Sequence, residues 1–359
     1  MNFSEQDQSW MTQALRLAAQ GLNTTDPNPR VGCILVKDNR LVGQGWHQKC
    51  GHSHAEALAL EDAGEQAKGA HAFVTLEPCS HYGKTGPCAQ ALIDAGVTAV
   101  TYTHDDPNPI VSGKGARLLQ AAGIQVYKGL LAQQAEKLNC GFIKRQRQGK
   151  PWVRLKLATS LDGRLAAADG SSQWITNPAA RDDVQCWRAR SSAILTGGNT
   201  LRNDNPRLSV RLGNDSERQP LRVLLTTQDD YLASAKMFAA DGAVLVISPK
   251  QLPAPADNVE HLMLPSEASQ GIDLAMVLTA LAEREVNELH IECGPNLAGK
   301  WMQSGLLDEL LIYQADCILG EKGMPLFTIP EINTMEQVIR LPTPEIRQIG
   351  QDRRLRYLF

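Results

Sequence analysis

The chain has 359 residues, 43% of them hydrophobic and 21% charged, which is typical of globular proteins and long enough for two domains. A formal net charge of −3 excludes a global attraction to nucleic acids, and no apolar run reaches the roughly 20 residues of a membrane-spanning helix, so neither is an expected partner. Because the polar N-terminus does not resemble a secretory signal and the eight cysteines are irregularly spaced, we expect a cytoplasmic protein without a disulfide framework.

Helix and strand patterns alternate through the first part of the chain, which predicts an α/β domain of three layers with a mixed sheet. A turn at Asp38-Asn39 predicts a hairpin. Residues 131–150 read as a helical connector, and the basic run 144–147 within it as a solvated face, or alternatively a phosphate site. The other predicted elements are helices at 8–20, 53–63, 87–96 and 115–122 and strands at 31–36, 41–46, 72–76, 98–103 and 125–127.

A second α/β pattern follows a boundary near 148–151, which divides the chain into domains 1–149 and 150–359. Residues 253–265, rich in proline, are predicted to form a surface loop. The predicted elements of this half are helices at 178–190 and 274–284 and strands at 152–157, 193–195, 222–226, 243–247, 289–292, 310–317 and 354–358.

One histidine and two cysteines of the first half predict a zinc site. His54, Cys79 and Cys88 each lie at a strand end or a helix start. They supply three ligands, which is the number in catalytic zinc sites that leave the fourth position to water. Glu56 would then transfer protons between that water, a ring and the leaving amine. This set of residue types suits the hydrolytic deamination of a nucleobase-like ring.

Two other interpretations of these residues remain open. Ser53 and Glu56 have the spacing of a helix capping box, which alone would explain the glutamate. A closed structural zinc site would instead need a fourth ligand. The candidates for that ligand are His47, Cys50, His52 and His81.

The segment from Thr75 to Cys88, together with His54-Ala55-Glu56, resembles the zinc nucleoside and nucleotide deaminases. The eight residues between the thiols are similar to the deaminase half of the bifunctional riboflavin-biosynthesis deaminase/reductases, as are 27–32 and 106–109. The resemblance implies a cytidine-deaminase-like fold, one zinc ion per chain and a diaminopyrimidinone substrate with a phosphoribosylamino arm. It implies that His81 and Lys84 hold the phosphate and that Asn28 and His47 line the pyrimidine pocket, although each could equally be an ordinary polar loop residue.

Two glycine turns mark the second half. Residues 294–300 nearly match the phosphate-binding loop of ATPases, but Trp301 replaces the hydroxyl residue that binds magnesium, so we reject ATP binding. Neither this turn nor the glycine pair in 196–200 matches the dinucleotide fingerprint of a Rossmann fold. Each remains either a tight turn or a phosphate site at a helix N-terminus.

The second half also resembles the dihydrofolate-reductase-like half of the same bifunctional family, at residues 156–164, 173–176, 200–206 and 292–299. The resemblance implies NADPH-dependent reduction of the ribosyl arm at C1′ to a ribityl arm, which depends mainly on orientation. The residues implied to contact NADPH are Ala158, Trp174, Thr200, Asp204, Thr227, Gly294, Pro295, Asn296, Leu297, Ala298, Gly299 and Lys300. Those implied to contact the substrate are Lys156, Ser172, Arg188, Leu208, Arg211 and Glu292.

Lys156 could polarise the sugar oxygen, and Arg188 and Arg211 could clamp a phosphate. The alternative for Arg188 is a residue on the surface of a helix. The sequence thus predicts a bifunctional enzyme that acts on a phosphorylated pyrimidine, and we expect a homo-oligomer, either a dimer or a tetramer. The alternatives are a deaminase of free or tRNA bases with an inert C-terminal domain, and a zinc-stabilised binding module without activity.

Overall fold

The computed structural model describes residues 3–80, 86–108, 112–213, 218–228, 234–252, 256–267 and 271–359. It divides into two compact units, Met1–Gly149 and Lys150–Phe359. None of the described helices is long and apolar enough to cross a membrane.

The first unit alternates helices and strands around one sheet. Its helices are α1 (Glu5–Gln20), α2 (Ala55–Ala63), α3 (Cys88–Asp94), α4 (Lys114–Ala121), α5 (Ala132–Leu138) and α6 (Cys140–Gln148). Its strands are β1 (Gly32–Lys37), β2 (Arg40–Trp46), β3 (His71–Val74), β4 (Ala99–Tyr102) and β5 (Gln125–Lys128). The strand order is β2-β1-β3-β4-β5. Because β1 is antiparallel to β2 and β3 while β3, β4 and β5 are parallel, the sheet is mixed, as predicted.

Alternate residues of β1 pack on opposite faces of this sheet. Ile34 packs with Met11 of α1, whereas Leu35 packs with Ala59 of α2. Helices therefore cover both faces, because successive side chains of a strand point in opposite directions. The predicted three-layer arrangement is confirmed, and the predicted single connector helix is instead the two helices α5 and α6.

The second unit is built on a larger sheet. Its helices are α7 (Pro178–Arg190), α8 (Gly198–Asp204), α9 (Lys236–Ala239), α10 (Leu274–Glu283) and α11 (Pro295–Gln303). Its strands are β6 (Trp152–Thr159), β7 (Arg164–Ala166), β8 (Ala193–Gly197), β9 (Leu221–Leu225), β10 (Val244–Ser248), β11 (Val259–Met263), β12 (Ser266–Glu267), β13 (Gly271–Ile272), β14 (Glu288–Glu292), β15 (Glu309–Gln314), β16 (Met324–Pro325), β17 (Glu345–Ile349) and β18 (Asp352–Leu358).

The main sheet of this unit runs β11-β10-β9-β8-β14-β6-β15-β18-β17. Its pairs from β11 to β15 are parallel, and β18 and β17 continue it antiparallel. Leu195 of β8 packs in the core with α10 and α11, whereas Ile194 packs on the opposite face with α8 and α9. Parallel strands buried on both faces place the C-terminal ends of β6, β8, β9 and β14 at one edge, where ligands of open α/β sheets bind.

The prediction of a surface loop at 253–265 is wrong in part. Residues Val259–Met263 form β11, which pairs in parallel with β10 at the edge of the sheet. An edge strand is half exposed, so its sequence carries a weaker apolar pattern than a central strand.

A buried ion-pair network lies on the strands β6, β14 and β15. Arg154 contacts Glu288 at 3.0 Å and Glu309 at 2.9 Å, and all three side chains are fully buried. Arg356 adds a contact to Glu309 at 2.6 Å. Burial alone would raise the pKa of Glu309, but Arg154 and Arg356 outweigh it and lower the pKa to about 2.

Candidate functional site

His54, Cys79 and Cys88 converge in the first unit. One ligand atom of each lies within 4.8 Å of the others. His54 Nδ1 is 3.2 Å from Cys88 Sγ and 3.6 Å from Cys79 Sγ. An imidazole nitrogen and two thiolates are ligands that zinc prefers, and three of them leave one tetrahedral position open. The residues therefore fit a catalytic zinc ion.

Two helix starts and one strand end bring these three ligands together. His54 is the N-cap of α2, Cys88 is the first residue of α3, and Cys79 follows β3. The Cys88 backbone N–H donates to Cys79 Sγ at 3.4 Å. The positive end of α3 and the Cys88 N–H both stabilise a thiolate at Cys79.

The capping-box interpretation of Glu56 is wrong. Helix α2 begins one residue later than that motif requires, so His54 and not Ser53 occupies the N-cap, and no side chain caps the helix. Glu56 is buried instead of lying on the helix surface. Helix capping therefore does not account for this carboxylate.

Glu56 lies beside the ligand cluster without being a member of it. Burial, followed by the charge of Cys79, raises its pKa to about 7, although a hydrogen bond with Cys88 opposes the rise. A hydrogen bond with Cys88 lowers the pKa of Cys79 to about 4, and the same contact together with burial raises that of Cys88. A carboxyl group whose pKa is near neutrality is suited to exchange protons with a substrate.

Asn28 and His47 lie next to this cluster. His47 Nδ1 is 3.1 Å from the Ser53 carbonyl, to which it can only donate, so Nε2 is left to accept from Asn28 Nδ2 at 3.2 Å. The ring of His47 lies 5.5 Å from that of His54 and meets it edge-on. Burial lowers the pKa of His47, which favours the neutral ring that this network needs.

No fourth ligand joins the cluster among the residues that the structure describes. His47, Cys50 and His52 are outside the group of converging atoms. His81 and Lys84 fall in 81–85, outside the described residues. The described ligands thus number three, which is the count of an open site.

A cleft of about 1820 Å³ opens at the C-terminal edge of the second unit's parallel strands. Every second-unit residue with a predicted binding role lines it, except two. Those two are Ala298, which is fully buried, and Gly299, where an added Cβ would lie 1.9 Å from the Thr328 carbonyl oxygen. Both residues contribute to the packing of α11, and their contact with NADPH stays a prediction.

Arg188 and Glu292 form a two-pronged ion pair in the cleft. Arg188 Nε lies 2.5 Å from Glu292 Oε1, Nη2 lies 2.8 Å from Oε2, and Nη1 donates to the Ser209 carbonyl at 3.2 Å. The interpretation of Arg188 as a surface helix residue is wrong, because only 9% of it is exposed. Burial opposes the charge of Glu292, but Arg188 outweighs it and holds the pKa of Glu292 well below its usual range.

Lys156 of β6 lines the same cleft. Burial lowers its pKa, while Glu292 opposes that effect. His290, on the strand of Glu292, lies 3.3 Å from that carboxylate. A lysine with a lowered pKa can exchange a proton more readily than an exposed one.

Both glycine turns begin helices at this cleft. Gly294 is the N-cap of α11 and Gly197 that of α8, and no side chain caps either helix. The Gly294 N–H donates to Thr200 Oγ1 at 3.1 Å, which joins the two turns. Uncapped N–H groups at the start of α11 attract an anion.

Sequence reasoning missed several residues of α7 that line the cleft, among them Arg181 and Gln185. Gln185 Oε1 accepts the Arg211 N–H at 3.0 Å, and the Arg181 guanidinium lies 4.5 Å from the ring centre of Trp174. Both recur at helical spacing from Arg188, on one face of the helix. This helical spacing is the feature of the sequence that could have identified Arg181 and Gln185.

Two family models match the chain. One, described as the cytidine and deoxycytidylate deaminase zinc-binding region, matches residues 4–104. The other, described as the RibD C-terminal domain, matches residues 151–355. Each model lies within one of the two compact units.

Relatives match over nearly the whole length. The riboflavin biosynthesis protein RibD of Haemophilus influenzae is 45% identical, covering 99% of this chain and 98% of that protein. The RibD of Escherichia coli is 43% identical, covering 97% and 98%. Among solved structures, Acinetobacter baumannii RibD has a TM-score of 0.92 at 44% identity, covering 99% of both chains. The diaminohydroxyphosphoribosylaminopyrimidine deaminase/5-amino-6-(5-phosphoribosylamino)uracil reductase of Thermotoga maritima has a TM-score of 0.87 at 30% identity, covering 98% of both.

Proposed function

This chain belongs to the RibD family and is a bifunctional deaminase/reductase of riboflavin biosynthesis, and from that premise we propose how its residues divide the two reactions. The unit at 1–149 deaminates 2,5-diamino-6-(5-phosphoribosylamino)pyrimidin-4(3H)-one. The unit at 150–359 then reduces the ribosyl arm with NADPH to give 5-amino-6-(5-phosphoribitylamino)uracil. The substrate named for the Thermotoga maritima relative supports this assignment.

One observation carries the proposal for the first unit: buried Glu56 lies beside three converging zinc-type ligands and is not itself one of them. His54, Cys79 and Cys88 hold one zinc ion, which supplies Lewis-acid activation of water near neutral pH. Glu56 accepts one proton from the attacking water and delivers it to the ring nitrogen. It then moves the remaining proton of the added hydroxyl to the amine, which leaves as ammonia when the C–N bond breaks.

Asn28 and His47 orient the pyrimidine. His47 is held by the Ser53 carbonyl and accepts from Asn28, so the two side chains present a fixed polar edge beside the ligand cluster. His81 and Lys84 bind the substrate phosphate, a role that rests on the family resemblance. The fixed edge selects a ring with complementary donors and acceptors.

The cleft of the second unit takes NADPH and the deaminated product together. NADPH supplies the hydride that reduces the sugar arm. The uncapped start of α11 at Gly294 and the residues from Pro295 to Leu297, with Lys300, bind its phosphates. The other dinucleotide contacts are Ala158, Trp174, Thr200, Asp204 and Thr227.

The substrate binds in the same cleft, beside Arg188 and Glu292. Arg188 is held by Glu292, so its guanidinium is oriented before a phosphate or hydroxyl arrives. Lys156, which lines the cleft, polarises the sugar oxygen. The remaining substrate contacts are Ser172, Leu208 and Arg211.

An assay with the whole purified chain tests the proposal. With the diaminopyrimidinone phosphate, water and NADPH, we expect one ammonia released and one NADPH consumed per substrate. Ammonia release with no NADPH consumption would support a deaminase with an inert C-terminal domain. Zinc binding with neither reaction would support a structural zinc module. We also propose a cytoplasmic homo-oligomer, a dimer or a tetramer, which sedimentation of the same sample tests.

A further inference from the structure

Glu77, which precedes the Pro78-Cys79 pair, is buried and accepts three backbone hydrogen bonds. Its Oε2 accepts the N–H groups of Asp106 at 3.1 Å and Gly113 at 2.9 Å. Its Oε1 accepts the N–H of Ala116 at 3.2 Å. Only 3% of the residue is exposed. Such an arrangement fixes both oxygens of the carboxylate, since charge-assisted hydrogen bonds are the strong ones.

These bonds replace a missing helix cap. Helix α4 has Gly113 as its N-cap, which has no side chain to accept the N–H groups of the first turn. Glu77 supplies that acceptor from a position 39 residues before Ala116. Its negative charge also lies at the positive end of the helix. The carboxylate therefore fastens α4 to the segment that leads into the ligand cluster.

The backbone of Pro78 and Cys79 contacts one helix on each of two sides. At Gly115 an added Cβ would lie 1.9 Å from the carbonyl oxygen of Pro78, so the backbone of α4 rests directly on the residue before Cys79. On the other side, the Ala89 N–H of α3 donates to the Cys79 carbonyl at 3.0 Å. The backbone around Cys79 thus lies between two helix starts.

We propose that Glu77 is a positioning residue that sets the place of the Cys79 sulfur by tying its backbone to the start of α4 and to the turn at Asp106. It is not one of the converging ligands. Asp106 in turn accepts the Asn108 N–H at 2.8 Å, so the same carboxylate orders the turn 106–108, for which the sequence assigned no role. Groups that orient a metal ligand commonly govern how tightly the metal is held.

This inference rests on the proposed zinc site. Three variants separate the possible roles of Glu77. Glu77→Gln keeps the shape but turns an amide N–H₂ toward the backbone donors. Glu77→Asp keeps the charge but is one methylene too short to reach all three N–H groups. Glu61→Gln, on the exposed side of α2, is the matched control.

Three measurements on the full chain apply to each variant. Hydrogen exchange reports the amides of Asp106, Gly113 and Ala116. Competition with a chromogenic chelator gives the zinc affinity and release rate, and the thiolate-to-metal absorption of the cobalt(II)-substituted chain reports the geometry at sulfur. NADPH consumption with the deaminated substrate shows whether the second unit remains folded, and hydrogen exchange at the amides of β3 shows whether the first unit does.

We expect both Glu77→Gln and Glu77→Asp to speed exchange at the three amides, to weaken zinc binding roughly 10- to 100-fold and to alter the cobalt absorption. NADPH consumption should keep its wild-type rate in both variants. Glu61→Gln should match the wild-type chain in every measurement. Faster exchange with wild-type zinc affinity and cobalt absorption would overturn the proposal and leave Glu77 as a helix cap only. If Glu77→Asp kept the wild-type zinc affinity and Glu77→Gln did not, the negative charge at this position would explain the effect, and the proposal would be overturned. If the wild-type chain bound no zinc, the proposed metal site would fail instead.

Discussion

Arg188, near the end of α7, and Glu292, at the end of β14, meet in a two-pronged ion pair of 2.5 and 2.8 Å. Their side chains are only 11% and 16% exposed, so water competes little for the contact. The pair joins a helix to the strand end that borders the cleft. An arginine held in this way presents its guanidinium in a fixed plane, as recognition of a phosphate or a sugar requires.

Replacement of Arg188 should therefore impair substrate binding in the reductase. Arg188→Lys keeps the charge but cannot bind Glu292 with two parallel hydrogen bonds. We expect the KM for the deaminated substrate to rise roughly 10- to 100-fold, while ammonia release stays unchanged. Steady-state NADPH consumption measures the change, and Arg347→Lys, at an exposed position of β17, is the control. An unchanged KM would remove Arg188 from the substrate site.

Glu56→Gln should stop deamination without affecting reduction. The amide cannot accept or donate the protons that the carboxyl group exchanges, so ammonia release should fall by roughly 10²- to 10⁴-fold. Reduction of the deaminated intermediate should continue, and zinc content should stay at one per chain. Glu61→Gln is the exposed control on the same helix. Full ammonia release by the Glu56 variant would show that another group moves the proton.

Removal of zinc should separate the two activities. A strong chelator should abolish ammonia release and leave NADPH consumption with the deaminated substrate intact. Cys79→Ser should lose zinc in the same way, because serine is a poor zinc ligand near neutral pH, whereas Cys186→Ser, at an exposed thiol, should retain it. Zinc content and the two rates are measured on one sample. A zinc-free chain with full ammonia release would contradict the metal assignment.

The buried carboxylate of Glu309 should make the stability of the second unit sensitive to acid. Its pKa is about 2 in the folded chain and near 4.5 in the unfolded chain, so the unfolded state binds the proton more readily. The stabilisation is complete above about pH 5 and is lost as the pH falls from about 4.5 toward 2. The difference corresponds to roughly 3 kcal/mol of unfolding free energy.

Hydrogen exchange of the amides of β15 at several pH values tests this prediction within the whole chain. In Glu309→Gln the loss of protection between pH 5 and pH 3 should be smaller, although Arg154 and Arg356 each lose one charged partner and the protein is less stable at pH 7. Glu345→Gln, an exposed partner of Arg356, should keep the wild-type pH profile. An unchanged profile in Glu309→Gln would mean that other groups cause the acid sensitivity.

The resemblance to the bifunctional riboflavin-biosynthesis family, predicted from motifs alone, is confirmed by the relatives and the matched family models. Most helices and strands were also predicted to within a few residues. For α7, the first and last residues were both predicted correctly. These features are local: hydrophobic periodicity, proline at a helix start and the order of His54, Cys79 and Cys88 can be recognised without knowing the neighbours in space.

What the sequence did not decide depends on residues far apart in the chain. From the sequence, Arg188 could equally well be a surface residue. Only its pairing with Glu292, 104 residues later, shows that it is a buried residue of the cleft. The capping box at Ser53 was a good local pattern, but the tertiary structure starts α2 at Ala55 and leaves Glu56 buried. Glu77 caps a helix whose N-cap, Gly113, lies 36 residues later. Sequence patterns report preferences over about one helical turn, whereas burial and pairing are set when distant strands and helices pack, which is why only the tertiary structure decided them.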